Sequence, residues 1–584
     1  MNRRYQFRFL SVVLTALFAF TNNTFAAKNG EVQSPHFDLI LAGGGLATCS
    51  SFSQKNCRQA DFSDDDFTQL LFRFSENNQQ NFQQSSFYKN LSQADKLNID
   101  AIIEYLNSRK GDLTVTKRQV SKTLNGSRFR DEYQELSDPL YYALFDFFEV
   151  RQTVRSGDRK RERVELSGNN NLGASRVYQA FYNSAAAIAA GKSKAKPHLI
   201  AITASSRDPF ESADFYHSVF SNFDADVTWL PLDMSLQQAM ANKDCKRLEY
   251  YRNKNLSFNR AAIYPNRTEM QRTLCQQPDE LLAIISQADG IFFNGGDQSR
   301  TIAALTSTNG APTPVLQKIL EMNNNHQVVV GGTSAGTAVQ AGGEFNNTPV
   351  VMLTNGDPEK ALERGAFATL PPSARCDETG SCQNSERQPG DLTYRQRGGT
   401  GLFQLGLLDT HFSEREREVR LSVFAHKSGN AFGFGVDEAT ALGVRKLKNG
   451  DLKMQVIGEN GVFISVTEGQ PNQMSNMGQK RFVAGVAHFL NEGDKAVYKA
   501  SQRALSFAFK ADSKTVSKAT KAPFYSREKG KWRAQISKHC GSRETIRWSL
   551  FDQKFMVKAS DASQFAINDK QQCSYTHLPY VVSQ

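Results

Sequence analysis

The sequence predicts an α/β protein in which helices cover a parallel β-sheet. Short apolar strands alternate with an Ala-rich amphipathic helix, which is the βαβ pattern of such a sheet. The segment 328–336, VVVGGTSAG, passes from a β-branched strand through glycines into small residues, as a tight strand-to-helix turn requires. The length of 584 residues favours several domains or one domain with long insertions.

The elements follow in chain order. The strand 37–42 runs into Gly43–Gly45, where a first βα turn is expected. Residues 51–170 are rich in Asn, Gln, Asp and charge, which predicts a mostly helical insertion. The remaining predictions are a helix at 174–190, strands at 197–203, 225–232, 290–294, 327–330, 402–408 and 432–436, and a β-rich stretch at 441–466 with a hairpin turn at 448–451.

The first 26 residues have the pattern of a secretory signal peptide. A basic start, MNRRYQFR, precedes the apolar run 9–20 and the segment TNNTFAA, which predicts cleavage after Ala26. An uncleaved anchor is the alternative, although the run is shorter than the roughly 20 residues of a membrane span. We therefore expect a secreted or periplasmic protein with no membrane span after cleavage.

The rest of the chain is predicted to divide at residue 468. The main domain covers 27–468 and contains the insertion, and 469–584 forms a basic β-rich module. This module carries 19 Lys and Arg against 8 Asp and Glu, so it accounts for the positive excess of the chain. It either contacts an anionic polymer or surface or presents a solvated basic face, and no motif indicates nucleic-acid binding.

The cysteines predict disulfides rather than a metal site. Eight cysteines, at 49, 57, 245, 275, 376, 382, 540 and 573, fall into four sequence-local pairs, and an exported chain would pair them in that order. No C-x-x-C spacing appears and the nine histidines are scattered, so neither a metal nor a cofactor is expected.

Ser334 is the predicted nucleophile of a serine hydrolase. Gly332-Thr333-Ser334-Ala335-Gly336 matches G-x-S-x-G, which in a strand-turn-helix context forms a nucleophile elbow. The alternative is a glycine-rich turn with an incidental serine. One oxyanion donor is expected to be the Ala335 amide at the helix start. The second would come from the glycines after strand 290–294, with Gly296 favoured, or from Gly43–Gly45, whose GGGLAT string does not fit a dinucleotide fingerprint.

A base and an orienting carboxylate follow further along the chain. His411 comes just after the predicted strand 402–408, and the strand 432–436 ends in Asp437 and Glu438. Spacing does not choose between these two acids, and Asp409 also remains open. Ser413 and Glu416 predict a capping box that starts a helix. Four positions of this helix share one inward-facing side, namely Arg417, Arg420, Leu421 and Phe424. The two arginines among them favour carboxylate recognition over a solvated helix face.

These motifs resemble the cyanophycinases, serine peptidases of the dipeptidase E type with a three-layer α/β sandwich of the class I glutamine-amidotransferase-like type. The resemblance rests on FFNGGDQSR, GGTSAGTAV, DTHFSEREREVRL and GFGVDEATAL, and covers about residues 36–50 and 171–468. It implies Ser334, His411 and Glu438 as the catalytic triad. It also implies a pocket for a β-aspartyl-arginine unit, shaped by Gln298, Asp409, Arg415, Arg417 and Arg420.

The resemblance implies an exopeptidase that releases β-aspartyl-arginine dipeptides from cyanophycin through an acyl-enzyme, and a homodimer. Thr410 stands where the family usually has Gln, so other aspartyl or isoaspartyl peptides are an alternative substrate. An α/β-hydrolase esterase is the rival enzyme, and its chain order would require a base at His426, His488, His539 or His577. A non-catalytic polymer-binding protein is the rival of another class.

Overall fold

The structure is a computed structural model of the chain, and it describes residues 36–369, 387–467, 475–477, 480–521 and 530–584. Residues 36–584 form one compact unit. The predicted signal segment 1–26 and the predicted pair Cys376 and Cys382 lie outside the described residues. No helix in the described ranges combines the length and the apolar character that crossing a bilayer takes.

The main sheet is mixed, which corrects the prediction of a parallel sheet. Within the described residues it has nine strands. Five run parallel in the order Leu39–Ala42, Val329–Thr333, Gly290–Phe293, His198–Ile202 and Asp226–Leu230. On the other side of Leu39–Ala42 the sheet continues antiparallel with Thr440–Lys446, Leu452–Gly458, Lys495–Lys499 and Ala504–Ala508. The connection 447–451 is a hairpin turn, and so short a link joins only antiparallel strands.

Helices cover both faces of this sheet, and the prediction of an α/β fold is confirmed. Along the first strand, Leu39 and Leu41 pack into one core and Ile40 into the other, as the two-residue repeat of a strand requires. The helix Leu172–Gly191 covers the Ile40 face. In the described ranges, the other helices outside the insertion are Glu211–Phe220, Met234–Ala241, Leu248–Lys254, Arg260–Ile263, Pro265–Gln276, Pro278–Ser286, Gln298–Leu305, Pro314–Asn324, Ala335–Ala338, Pro358–Arg364, Glu418–Ser428 and Lys531–Lys538.

The segment predicted as a helical insertion has a hydrophobic core of its own. Its helices are Glu76–Gln84, Ser86–Lys89, Gln93–Lys110, Lys117–Asn125, Arg130–Gln134 and Asp138–Asp146. Phe82, Ile99, Leu106 and Phe148 are fully buried in this core, to which the rest of the chain adds Phe258. The helices end at Asp146, and residues 150–171 return to the main sheet without a further helix.

A second sheet carries most of the C-terminal region. Within the described residues its ten strands are Leu407–Thr410, Phe432–Val436, Gly461–Val466, Ser475–Met477, Lys480–Asn491, Lys514–Thr515, Ile546–Leu550, Gln553–Val557, Gln564–Ile567 and Cys573–Ser583. Strands from both sides of residue 468 pair in this sheet, for example Gly461–Val466 with Lys480–Asn491. The main sheet also joins the two parts of the chain, since Leu452–Gly458 pairs with Lys495–Lys499. The predicted division at 468 therefore coincides with no break in either sheet.

Smaller pairings and three disulfides complete the described structure. The pairings join Met352–Asn355, Leu392–Arg395 and Ala366–Phe367, then Leu71–Phe72 with Val115–Thr116, and Glu344–Phe345 with Thr348–Pro349. The strand predicted at 402–408 spans only Leu407–Thr410, since glycines at 398, 399, 401 and 406 favour turns. The disulfides Cys49–Cys57, Cys245–Cys275 and Cys540–Cys573 confirm the predicted sequential pairing at these positions.

Candidate active site

Ser334 stands between the strand Val329–Thr333 and the short helix Ala335–Ala338. Its φ of 53° lies in the left-handed region, a strained conformation for a residue with a side chain. A Cβ added to Gly332 would lie 2.2 Å from the Gly336 carbonyl oxygen, so the chain crosses itself too closely for a side chain there. The turn thus has the tight, glycine-flanked geometry of a nucleophile elbow.

The side chains of Ser334, His411 and Glu438 form one hydrogen-bonded chain. His411 Nε2 lies 2.9 Å from Ser334 Oγ, and His411 Nδ1 lies 2.7 Å from Glu438 Oε1. His411 directly follows the strand Leu407–Thr410, and Glu438 comes two residues after Phe432–Val436. These strands are parallel neighbours, so the residues that follow them meet at one edge of the sheet.

The glycines after the first strand make room for this arrangement. A Cβ added to Gly44 would lie 2.4 Å from the His411 ring, and one added to Gly45 would lie 2.6 Å from the Glu438 side chain. The Gly43 carbonyl also accepts a hydrogen bond from the His411 amide. From the sequence, Gly43–Gly45 were only candidates for the oxyanion hole, and their packing against the triad was not predicted, although the triple glycine indicates a close approach of the backbone.

The other groups left open by the sequence lie away from Ser334. Asp437 accepts a hydrogen bond from the Ser413 amide at 2.9 Å, and Asp409 pairs with Arg420. Among the described residues, His411 is the histidine that bonds Ser334 Oγ. The α/β-hydrolase chain order would place the base at His426, His488, His539 or His577. In the described residues none of these histidines bonds Ser334 Oγ.

A glycine loop runs beside the nucleophile, where the second oxyanion donor was expected. A Cβ added to Gly295 would lie 3.4 Å from Ser334 Cβ. The Gly295 amide hydrogen-bonds the buried Tyr216 hydroxyl, and Gly296 follows with a φ of 142°. Ala335 is the first residue of its helix, so its amide has no acceptor within that helix.

Asp409 and Arg420 form a closed ion pair rather than an open recognition surface. Arg420 Nε lies 2.8 Å from Asp409 Oδ2, and Nη2 lies 2.6 Å from Oδ1. The side chains are 1% and 2% exposed, and Arg420 Nη1 also donates to the Gly356 carbonyl. Burial raises the pKa of Asp409, but the charges of Arg420 and Arg417 outweigh it and hold that pKa below its usual value.

The three other predicted substrate residues are more accessible or only partly bonded. Arg417 Nη1 donates to the Thr410 carbonyl at 2.5 Å, while its buried Nε has no hydrogen-bond partner. Burial, followed by the charge of Arg420, lowers the pKa of Arg417 to about 9. Arg415 is exposed. Gln298 Nε2 donates to the Leu353 and Thr354 carbonyls, at 2.8 and 2.9 Å.

The helix expected to start at a Ser413–Glu416 capping box starts later. Ser413–Arg415 form a 3₁₀ turn, Glu416 is left-handed with a φ of 54°, and the helix is Glu418–Ser428. The Glu416 carboxylate instead accepts the Lys531 amide at 2.8 Å, far along the chain. A tertiary partner therefore replaces the local cap that the sequence predicted.

A cleft of about 310 Å³ reaches the glycine loop from the insertion side. Its lining includes Phe52, Glu162, Glu211, Asn294 and Gly295. Burial raises the pKa of Glu162 and of Glu211 to about 7. These acids were not predicted as site residues, because Glu162 comes from the insertion and no local motif marks either one.

The chain is similar to curated cyanophycinases over about a third of its length. The protein of Synechococcus elongatus is 29% identical over 188 residues, which are 32% of this chain and 45% of that one. The protein of Geminocystis herdmanii is 26% identical over 222 residues, 36% of this chain and 63% of that one. The match thus spans about half the length of these relatives.

Two further comparisons complete this result. No family model matches the chain. Among solved structures, a peptidase from an acI-B1 actinobacterium is similar at 15% identity over 55% of this chain and 90% of that one, with a TM-score of 0.30.

Proposed function

We propose that the chain is a serine exopeptidase of the cyanophycinase type, which hydrolyses cyanophycin to β-aspartyl-arginine. The observation that carries the proposal is the hydrogen-bonded chain from Ser334 through His411 to Glu438, set on a strained elbow. Similarity to curated cyanophycinases supports the substrate class. The sandwich of the class I glutamine-amidotransferase-like type belongs to the same proposal, supported by helices on both faces of the mixed sheet.

The proposed reaction is acyl transfer in two steps. Ser334 Oγ attacks the peptide carbonyl carbon while His411 Nε2 takes its proton, and Glu438 stabilises the imidazolium. The amides of Ala335 and Gly296 hold the oxyanion. His411 then protonates the leaving amine. A water molecule attacks the acyl-enzyme with His411 as base, which releases the acid and restores Ser334.

The charges around the triad suit a substrate with both a carboxylate and a guanidinium. Arg417 has an unpaired buried Nε, and Arg415 is exposed nearby, so these two are the proposed carboxylate ligands. Glu162 and Glu211 line the cleft beside Gly295, and a cationic side chain there would stabilise their ionised forms. Each unit of an aspartyl-arginine polymer offers both groups.

Export is part of the proposal. The segment 1–26 has the signal-peptide pattern, and the three described disulfides fit an oxidising compartment. A secreted or periplasmic peptidase would act on polymer outside the cytoplasm of the producing cell.

The test is the clearing of insoluble cyanophycin by the wild-type protein, by Ser334→Ala and by the exposed control Ser549→Ala, with mass spectrometry of the products. Wild type and Ser549→Ala are expected to release β-aspartyl-arginine, and Ser334→Ala to lose about 10⁴-fold or more in rate. Circular dichroism checks that each variant is folded.

Two outcomes would change the proposal. Clearing by Ser334→Ala at the wild-type rate would reject the nucleophile. A folded wild type that leaves cyanophycin intact but cleaves other β-aspartyl peptides would move the substrate to the second candidate class, which Thr410 favours because it stands where the family usually has Gln.

A further inference from the structure

A buried group of charges lies behind the two loops that carry His411 and Glu438. We call the acids Glu414, Glu418 and Asp437, together with Arg533, which contacts two of them, the acid cluster. Arg533 Nη1 lies 2.5 Å from Asp437 Oδ2 and 3.5 Å from Glu414 Oε1. The arginine and Glu414 side chains are 11% and 14% exposed, and Asp437 is fully buried. The arginine comes from the C-terminal helix Lys531–Lys538, far in sequence from the acids.

The two carboxylates that Arg533 contacts tie the triad loops together crosswise. Asp437 belongs to the Glu438 loop, and its Oδ1 accepts the amide of Ser413 on the histidine loop at 2.9 Å. Glu414 belongs to the histidine loop, and its Oε2 accepts the Glu438 amide at 3.0 Å. Each loop therefore holds the backbone of the other through a carboxylate that Arg533 contacts.

Arg533 supplies a positive charge to the buried carboxyl groups of this cluster. Burial, followed by the charge of Asp437, raises the pKa of Glu414 to about 8, and Arg533 opposes both effects. Burial also raises the pKa of Glu418 well above its usual value. Burial lowers the pKa of Arg533, but the charges of Asp437 and Glu414 outweigh it and leave that pKa raised. Without the arginine, the buried Asp437 carboxylate would lose the cation that contacts it, which is costly at a desolvated site.

The helix that carries Arg533 is itself firmly anchored. Trp532 is buried and its Nε1 donates to the Tyr575 hydroxyl at 2.8 Å. The Lys531 amide donates to the Glu416 carboxylate, and the Cys540–Cys573 disulfide follows the helix. The helix is thus held by the C-terminal sheet on one side and by Glu416, beside the histidine loop, on the other.

We propose that Arg533 is a positioning residue for the triad, which makes the C-terminal region a part of the catalytic unit. It sets the distance between the His411 and Glu438 loops through the crosswise hydrogen bonds of Asp437 and Glu414. The inference rests on the proposed serine-hydrolase function, since a positioned histidine matters only if it activates Ser334. It assigns a role to residues beyond the segment 36–468 that carries the family motifs.

The test measures Ser334 reactivity directly, as the rate constant of labelling by a fluorophosphonate, together with kcat and KM for β-aspartyl-arginine release. Arg533→Gln is expected to lower the labelling rate and kcat by about 10- to 100-fold, because small displacements of catalytic groups cost that much. KM should change little. Arg533→Lys, which keeps the charge, should recover part of the loss.

A double variant and two controls separate positioning from simple destabilisation. Asp437→Asn combined with Arg533→Gln should label faster than Arg533→Gln alone, since the asparagine Oδ1 can still accept the Ser413 amide and the substitution removes the buried carboxylate that Arg533 contacts at 2.5 Å. Arg547→Gln makes the same charge change at an exposed site and should match wild type. Val582→Ala opens a cavity in the C-terminal sheet, and should lower the melting temperature while leaving labelling unchanged.

The outcomes are distinguishable. Labelling and kcat of Arg533→Gln equal to those of Arg547→Gln would overturn the inference and leave the proposed function intact. Loss of labelling in Val582→Ala that parallels its loss of stability would also overturn it, because stability alone would then explain the effect. If Arg533→Gln does not fold, Arg533→Lys decides: slower labelling at wild-type stability supports positioning, and wild-type labelling at any stability overturns it. A wild type that resists the probe and leaves peptides uncleaved would instead reject the proposed function, and the inference with it.

Discussion

Replacing Arg420 by Met removes one partner of the buried ion pair with Asp409. Both side chains are at most 2% exposed, and two of the arginine nitrogens lie within 2.8 Å of the carboxylate oxygens. Removing one partner of such a pair costs about 3–5 kcal/mol, because the remaining charge stays desolvated and uncompensated. Arg417 lies 3.4 Å from the same carboxylate and offsets part of this loss, so we expect a value near the lower end.

The assay is urea unfolding followed by tryptophan fluorescence, with kcat and KM measured on the same preparations. Arg420→Met should lower the midpoint of the transition, and Asp409→Asn with Arg420→Met should recover part of it because the buried charge is gone. Arg415→Gln is the matched control, since this arginine is exposed on the preceding segment, and it should stay within about 0.5 kcal/mol of wild type.

The same experiment decides between two roles for Arg420. The family resemblance implies a contact with the substrate, whereas the buried geometry implies a structural pair. A wild-type unfolding midpoint together with a KM raised tenfold or more would refute the reasoning from burial. If Arg420→Met lowers the urea midpoint while the KM of the folded protein changes little, Arg420 is a structural residue. Arg417 and Arg415 then remain the proposed carboxylate ligands.

Three further predictions follow from the site. Glu438→Gln should lower kcat by about 10²–10⁴-fold with little change in stability, because the histidine loses the anion that stabilises its protonated form, and fluorophosphonate labelling measures this loss. Gly44→Ala places a methyl group 2.4 Å from the His411 ring and should slow labelling by about 100-fold, whereas Gly191→Ala, with no atom within 4 Å, should not. For Glu414, the folded pKa of about 8 lies above the unfolded value of about 4.3, so its contribution to stability is full at low pH and is lost as the pH rises toward 8. Glu414→Gln should therefore weaken the fall in urea midpoint between pH 5 and pH 8, and an unchanged fall would contradict this assignment.

Local patterns made the elbow and the positions of most strands along the chain predictable. The glycines around Ser334 and the β-branched run before it fix a strand, a turn and a helix within nine residues, and the structure has them there. The mixed character of the main sheet was not predicted. Strand direction depends on which neighbours pair, and the strand Thr440–Lys446 that pairs antiparallel with Leu39–Ala42 lies about 400 residues away from it in sequence.

Charge pairing between residues far apart in sequence was not predictable for a related reason. The helical spacing correctly placed Arg420 on an inward face, but spacing alone does not say whether an inward arginine meets a substrate or a buried carboxylate. Glu416 was expected to cap its own helix and instead accepts the Lys531 amide. Arg533 lies in a basic region whose excess charge suggested only a surface, although this one arginine is buried among acids.

The choice between Asp437 and Glu438, which spacing left open, depends on the turn that follows the strand Phe432–Val436. In this turn the side chains of the two adjacent acids meet different partners, and only one of them contacts His411. Glu438 makes this contact, and Asp437 instead contacts Ser413 and Arg533. The histidine loop divides in the same way, since His411 meets Ser334 while the Ser413 amide meets Asp437. The side of the paired loops that carries His411 and Glu438 faces Ser334, while the opposite side is fixed by contacts to the C-terminal region. A variant that lacks Arg533 should loosen these contacts and thereby weaken the hydrogen bonds of the triad.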